Sequence, residues 1–461
     1  MARRRRFIDL FAGCGGLSLG LEEAGFDPIA LTEIAPEAAE TYLHNRPHLE
    51  GLRDRWYRDT WELVQGKGKA IKSILAAERL RKGELDLVVG GPPCQGYSRL
   101  GHRRTHGHDR SDNPGNFLYE AMAGVIEYAL PKAFLFENVQ GLLTARWSRG
   151  HAAGQSGAVF EDVLETFRDI TKPRSSKPAY ELRWRLVRAY QYGIPQNRPR
   201  VLLVGIRRDV LKATGIQLAE GDPDTLFGQS LAHQFKGVES DGFHPDPTGE
   251  RIPTVEEAIG DLIDDAYPTL RQEYEQHRDR ARLHSGRYGK AAKGQFQKEM
   301  RRGPITEIKE GLGLKRGRLL NHEYSYHSAR VEERFLEIQR VGRAEGSLKN
   351  KKFSQRALPM AWPSGKPNIT VTSMPDDYVH HVQPRSLTVR EWARFQTFPD
   401  WYEFRGKRTT GGIRRAGNPA AGITEREVPQ YTQIGNAVPP KLGLALGEHF
   451  QSLLPHIASR I

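Results

Sequence analysis

Cysteine is scarce in this 461-residue sequence, which contains only Cys14 and Cys94. Two cysteines make a disulfide framework implausible, and the composition fits a reducing compartment. Long apolar runs are also missing. None follows the basic residues Arg3–Arg6 as a signal peptide would require, and none approaches the length of a membrane span. We expect a cytoplasmic protein without a membrane partner.

Acidic residues are outnumbered by basic ones, 56 against 69, which leaves a formal charge of +13. A charge of this sign favours a polyanionic partner, most simply nucleic acid. The charge is unevenly distributed: residues 209–270 carry a net −10, whereas residues 271–370 carry a net +12. This change of sign indicates a separate region with its own partner.

The first candidate site is the stretch Asp86–Ser98, an apolar run followed by two glycines, two prolines and Cys94. A short apolar run bounded by turn residues predicts a buried parallel strand that ends in a tight loop. Pro92 and Pro93 fix φ and would direct the Cys94 thiol away from the strand end. Open α/β sheets bind and react at this edge. By itself the pattern fits either a small apolar loop cysteine or a reactive thiol, and the segments that follow favour the reactive thiol.

A second candidate site opens the chain. The apolar segment Phe7–Phe11 predicts a strand, Ala12–Gly16 a glycine-rich loop and Leu17–Ala24 a helix. Strand, glycine loop and helix are typical of the first unit of a nucleotide-binding α/β domain, because glycines let the backbone approach a ligand closely. A dinucleotide fingerprint would require glycine where this chain has Ser18, so NAD is disfavoured.

Three further groups lie at predicted strand ends. Glu33 ends the strand Pro28–Thr32, twenty residues after Gly13, where a carboxylate can accept hydrogen bonds from ribose hydroxyls. Glu137 ends the strand Ala133–Phe136, and partial desolvation there would hold its pKa near neutrality. The loop Gln196–Arg200 joins two more predicted strands, 180–189 and 201–206. His102, His106 and His108 lack a complementary cysteine or carboxylate, so we expect no metal.

Six segments together resemble the DNA (cytosine-5) methyltransferases of bacterial restriction-modification and Dcm-like type. The segments are DLFAGCGG from Asp9, PPCQGYS from Pro92, ENV from Glu137, QNRPR from Gln196, RSLTVREWARFQTFPD from Arg385 and QIGNAVPP from Gln433. They occur in the order typical of that family. The resemblance implies an α/β fold: a Rossmann-like S-adenosylmethionine-dependent methyltransferase domain with a separate, smaller target-recognition domain.

The resemblance also implies a division of the chain and of the chemistry. Residues 1–208 would form the catalytic domain, 209–383 the target-recognition region with its basic part at 271–370, and 384–461 a segment returning to the catalytic domain. The enzyme would methylate C5 of a flipped-out cytosine in a specific double-stranded DNA sequence. Cys94 would add to C6, Glu137 would protonate N3, and Arg198 and Arg200 would hold the base and the Cys94 loop.

The family's S-adenosylmethionine site would map onto twelve residues. These are Phe11, Ala12, Gly13, Gly15, Gly16, Glu33, Ile34, Asp59, Pro93, Leu118, Asn436 and Val438. We expect a monomer. The target sequence stays open, and so does the existence of a cognate restriction or phage-defence partner.

Two alternatives compete with this interpretation. One group of RNA cytosine methyltransferases uses a second cysteine as nucleophile, but here that residue would be Cys14, which we expect to be a packing residue. The tRNA-modifying relatives carry a Cys-Phe-Thr motif in the recognition region, where this chain has no cysteine. A catalytically silent DNA-binding scaffold is disfavoured because it need not retain Cys94, Glu137, Arg198 and the cofactor glycines.

Overall fold

A computed structural model of the protein describes residues 4–93, 117–147, 154–214, 242–277, 283, 286–314, 317–341, 355–372, 377–410 and 427–454. Cys94 and the three candidate histidines at 102, 106 and 108 lie outside the described residues. The predicted α/β class is confirmed, since helices flank a central sheet of seven strands. Within the described residues, no helix combines the length and the apolar composition that crossing a bilayer would require.

The central sheet has the strand order β3-β2-β1-β4-β5-β7-β6. Its strands are β1 Arg5–Leu10, β2 Phe26–Thr32, β3 Trp56–Tyr57, β4 Leu87–Gly90, β5 Ala133–Val139, β6 Tyr180–Arg188 and β7 Pro199–Arg207. The first five strands are parallel, and β7 runs antiparallel to both of its neighbours. From β1 the sheet extends to β2 and β3 on one side and to β4 and β5 on the other. The carboxyl ends of β1 and β4 therefore flank the crevice where such sheets bind ligands.

Six helices accompany these strands: α1 Gly16–Glu23, α2 Pro36–His44, α3 Thr60–Ala77, α4 Leu118–Ala129, α5 Ala158–Arg168 and α6 Arg208–Thr214. The central strands β1 and β4 are buried on both faces because helices cover both sides of the sheet there. In β1, Ile8 belongs to the apolar cluster that contains residues of α3, α4 and α5. The neighbouring Phe7 belongs to the cluster formed with α1 and the C-terminal helix Pro440–Leu453.

The C-terminal helix Pro440–Leu453 lies directly on α1. Glycines permit this close approach: a Cβ on Gly20 would lie 2.1 Å from the carbonyl oxygen of Pro440. A Cβ on Gly443 would likewise lie 2.7 Å from the carbonyl oxygen of Leu17. The last described helix is therefore packed against the first helix of the chain.

The described residues between α6 and the C-terminal helix form helices and one pair of short strands. They are the helices Val255–Ile259, Tyr267–Gln276, Gln295–Met300, Thr306–Gly311, Ala329–Val341, Val389–Phe395 and Gln430–Asn436, and the parallel strand pair Arg356–Ala357 and Tyr378–Val379. An apolar cluster around Trp392 joins side chains of this region to Cys14 and Leu19. Because this cluster spans the expected boundaries at 208 and 383, the domain division stays a prediction.

Candidate active site

The glycine loop after β1 has a backbone that ordinary residues rarely adopt. Phe11, Gly13 and Gly15 have φ values of 56°, 56° and 83°, all in the left-handed region. A Cβ on Gly16 would lie 2.3 Å from the carbonyl oxygen of Val438, so this position requires glycine. A Cβ on Gly13 would meet nothing within 4 Å, which leaves open space for a ligand beside the loop.

The carboxylate of Glu33 is hydrogen-bonded to the backbone of the glycine loop. Oε2 accepts a hydrogen bond from the N–H of Gly13 (2.8 Å), and Oε1 accepts one from the N–H of Ala35 (2.8 Å). Burial raises the pKa of Glu33 above its ordinary value, although the hydrogen bonds from backbone N–H groups stabilise the charged form and lower it. A carboxylate can accept about four hydrogen bonds, so Glu33 has acceptor capacity left for a ligand hydroxyl. The next residue, Ile34, is 70% exposed and offers an apolar surface at the same strand end.

Asp59 lies beyond β3 at the start of α3. Its side chain accepts a hydrogen bond from the N–H of Trp61 (3.0 Å), and the Glu62 side chain accepts one from the N–H of Asp59 (2.8 Å). This reciprocal arrangement is a capping box. Asp59 is exposed, so its carboxylate both caps α3 and faces solvent at the sheet edge.

The ends of β4 and β5 bring the first candidate site, the approach to Cys94, next to Glu137. A Cβ on Gly91 would lie 2.9 Å from Glu137 Oε2, so this carboxylate sits directly beside the Gly-Pro-Pro approach to Cys94. Asn138 adds a second connection, because its side-chain amide donates to the carbonyl oxygen of Pro92 (3.1 Å). Pro93, the last described residue before Cys94, is exposed. Asn138 had no role in the sequence prediction, although its position inside the Glu-Asn-Val segment was a usable signal.

The two candidate arginines differ in what they contact. Arg200 Nε lies 2.6 Å from Glu137 Oε1, and burial lowers the pKa of this guanidinium. Arg198 is buried and donates to the carbonyl oxygens of Val371 (2.9 Å) and Gly435 (2.8 Å). Burial also lowers the pKa of Arg198 well below its usual value. Arg198 therefore ties three segments of the chain together, whereas Arg200 orients the candidate acid.

Two buried glutamines complete these connections and were missed from the sequence. Gln396 donates to the carbonyl oxygens of Ile434 (2.9 Å) and Ala437 (2.6 Å). Gln196 donates to the carbonyl oxygen of Phe395 (2.9 Å) and bonds to Gln396. Both lie within the recognised segments, which was the only signal available.

The remaining predicted cofactor residues lie near the glycine loop or at helix ends. Asn436 is exposed at the end of the helix Gln430–Asn436, and Val438 contacts Gly16 through its carbonyl group. Leu118 is half-buried at the first position of α4. Among the described residues, no group of three or more metal-ligating side chains could hold a metal ion.

Cys14 is an unsuitable nucleophile. Cys14 belongs to the glycine loop, but its side chain is fully buried, and its thiol donates to the carbonyl oxygen of Gln433 (3.4 Å). Burial raises the pKa of the Cys14 thiol far above its ordinary value, which suppresses the reactive thiolate. This environment removes the basis for an RNA-type mechanism that uses the second cysteine.

The mainly parallel sheet has a glycine loop and an acid at one strand end and a carboxylate–arginine pair at another. These features define an α/β protein whose candidate active edge lies at the carboxyl ends of the parallel strands. The family model for C-5 cytosine-specific DNA methylases matches residues 5–452. The chain therefore belongs to this family and is a DNA cytosine-5 methyltransferase.

Named relatives agree with this family. The type II methyltransferase M.DdeI of Desulfomicrobium norvegicum is 30% identical, with 96% of this chain and 87% of the relative covered. M.AgeI of Thalassovita gelatinovora, also a type II methyltransferase, is 28% identical over 96% of this chain and 98% of the relative. A prophage-encoded E. coli protein, described as a DNA modification methyltransferase, has a crystal structure that matches with a TM-score of 0.61 at 22% identity. The match covers 97% of this chain and 99% of that chain, and it shows a shared fold.

Proposed function

We propose that the protein transfers a methyl group from S-adenosylmethionine to C5 of a flipped-out cytosine in a specific double-stranded DNA sequence, through a covalent bond between Cys94 and C6. The observation that carries this proposal is the position of Glu137. Its carboxylate is held by Arg200 at 2.6 Å and lies against Gly91, three residues before Cys94. An acid and a nucleophile that act on one ring must be close together in this way.

The chemistry requires both groups because C5 of cytosine is a weak nucleophile. The Cys94 thiolate adds to C6, and Glu137 donates a proton to N3, so that the ring becomes an enamine without gaining charge. C5 then takes the methyl group and releases the demethylated cofactor. Loss of the C5 proton to a base returns the electron pair to the ring and expels Cys94 as thiolate, and N3 gives its proton back to Glu137. The target base must leave the duplex to reach these groups, at a cost of about a few kcal/mol.

The cofactor would lie along the glycine loop. The open space beside Gly13, the remaining acceptor capacity of Glu33 and the exposed Ile34 suit a nucleoside with two ribose hydroxyls and a flat aromatic base. Asp59 and Asn436 are exposed polar groups that fit the polar ends of the same ligand. S-adenosylmethionine supplies an electrophilic methyl group when it is bound there.

DNA binding would involve the basic region. Residues 271–370 carry the net +12 noted above, and lysines and arginines that contact phosphates provide affinity for any DNA sequence. Arginines, asparagines and glutamines of the same region would read base edges in the major groove. We therefore place target selection within residues 209–383 and assign 384–461 to the catalytic body.

The covalent step gives the most direct test. DNA carrying 5-fluorocytosine at the target, mixed with S-adenosylmethionine and the full-length protein, should form an adduct that survives denaturation. The target itself comes from methylation mapping of a host that expresses the protein. Cys94→Ala should abolish the adduct, whereas the matched variant Cys14→Ala should retain it. An adduct formed by Cys94→Ala would refute the proposed nucleophile.

A further inference from the structure

Two buried side chains bond to the glycine loop from the protein interior. Arg46 Nη2 donates to the carbonyl oxygen of Gly15 (3.2 Å), and the Tyr402 hydroxyl donates to the carbonyl oxygen of Cys14 (2.5 Å). Arg46 and Tyr402 are both almost completely buried. Two successive carbonyl groups of the loop are therefore held from the same side.

Arg46 and Tyr402 act on the loop as a connected pair. Arg46 Nη1 donates to the Tyr402 hydroxyl (3.1 Å) and to the carbonyl oxygen of Tyr42 (2.9 Å). Its Nε donates to Glu22 at 2.5 Å, so the buried charge has a counter-ion, and the guanidinium lies 3.8 Å from the Tyr42 ring centre. A charge held by this many contacts has little freedom to move.

The interior contacts and the ligand-facing side of the loop are linked through its backbone. The loop turns through left-handed φ values at Gly13 and Gly15, and in this turn the carbonyl groups of Cys14 and Gly15 accept the two inward bonds. The same turn presents the N–H of Gly13 to Glu33. Loss of an inward bond therefore frees the segment that positions Glu33.

We propose that Arg46 and Tyr402 are positioning residues that hold the glycine loop in the conformation that binds S-adenosylmethionine. This inference rests on the proposed role of the loop as the cofactor site. Both residues act through the loop backbone and not by contact with the cofactor. Tyr402 follows the helix Val389–Phe395, so cofactor affinity depends on a segment distant in sequence from the loop.

Tyr402→Phe tests the proposal because it removes a hydroxyl and keeps the buried ring. Calorimetry with the full-length protein should show affinities for S-adenosylmethionine and for its demethylated product weakened about three- to tenfold, the net effect of one or two hydrogen bonds. KM for S-adenosylmethionine should rise by the same factor. Turnover at saturating cofactor and KM for DNA should be unchanged, because the loop conformation is restored when the ligand is bound.

Tyr180→Phe is the matched control. Tyr180 is equally buried, and its hydroxyl donates to a backbone carbonyl, that of Pro131 (2.8 Å), at the start of β6. The Tyr180→Phe protein loses a hydroxyl-to-carbonyl hydrogen bond far from the glycine loop and should therefore keep wild-type cofactor affinity. Equal cofactor affinities in Tyr402→Phe and Tyr180→Phe would overturn the proposal.

Arg46→Lys provides a second variant. A lysine keeps a positive charge for Glu22 but cannot reach Gly15, Tyr42 and Tyr402 simultaneously, so cofactor affinity should fall at least as much as in Tyr402→Phe. Wild-type affinity in a folded Arg46→Lys protein would contradict the inference, and if that variant does not fold, Tyr402→Phe decides alone. If the wild-type protein binds neither cofactor form, the proposed function fails instead.

Discussion

A carboxyl group is buried beneath the glycine loop, and its ionisation should make folding depend on pH. Asp9 in β1 is 2% exposed and accepts a hydrogen bond from the Ser18 hydroxyl, which also bonds to the Tyr42 hydroxyl (2.8 Å). Ser18 occupies the position where a dinucleotide fingerprint would have glycine, and its hydroxyl instead donates a hydrogen bond to the Asp9 carboxyl group. Burial raises the pKa of Asp9 from 3.8 to about 7, against the effects of Ser18 and the positive charge of Arg46.

The sign of the pH effect follows from this raised pKa. Between pH 4 and pH 7 the folded protein keeps a proton on Asp9 that the unfolded chain has released, so folding becomes less favourable as the pH rises. The slope is about 1.4 kcal/mol per pH unit in this window. From pH 5 to pH 7, Asp9 should therefore remove about 2 kcal/mol from the free energy of unfolding, and little more above pH 7.

Asp9→Asn isolates this contribution because the amide cannot ionise, and its oxygen still accepts from Ser18. Urea unfolding of both proteins at pH 5, 6, 7 and 8 gives the difference in the free energy of unfolding at each pH. Relative to the wild type, Asp9→Asn should gain about 2 kcal/mol between pH 5 and pH 7. Glu22 and Glu33, which also influence the pKa of Asp9, are present in both proteins. A difference that does not change with pH would refute the reasoning.

Two further substitutions test how the active edge is assembled. Gly16→Ala should weaken S-adenosylmethionine binding and lower the melting temperature, because its Cβ would lie 2.3 Å from the Val438 carbonyl oxygen. The control Gly303→Ala, whose Cβ would have no neighbour within 4 Å, should change neither quantity. Wild-type cofactor binding by Gly16→Ala would contradict the close packing at this position. Asn138→Ala removes the 3.1 Å hydrogen bond to the Pro92 carbonyl oxygen. The rate of adduct formation with 5-fluorocytosine DNA should therefore fall about tenfold, while cofactor affinity should stay the same. An unchanged rate would show that this bond does not position the Cys94 loop.

The strands of the active edge were predictable because their sequence pattern is local. The predicted strand at Phe7–Phe11 is β1 Arg5–Leu10, and the apolar run before Gly90 is β4 Leu87–Gly90. Strands buried on both faces show as continuous apolar runs, and glycines or prolines mark their ends. The helix α3 Thr60–Ala77 lacks such a continuous apolar run, and non-helical residues at 65–68 interrupt it.

The antiparallel direction of β7 was not predictable. A strand's own residues look alike in either orientation when both faces are buried, so its direction is set by its neighbours. That pairing places Arg200 opposite Val139 and brings the guanidinium to Glu137. The sequence identified both side chains as candidates, but their contact is a consequence of strand register.

By itself, the sequence determined the α/β class, the family and the identity of the candidate nucleophile, acid and glycine loop, because each depends on residue types at short spacing. Only the tertiary structure decided what holds these groups. Arg198 bonds to the Val371 and Gly435 carbonyl groups, and Arg46 and Tyr402 hold the loop from within. The physical reason is that backbone carbonyl groups have no sequence signature, and which of them a buried side chain meets depends on how distant segments pack.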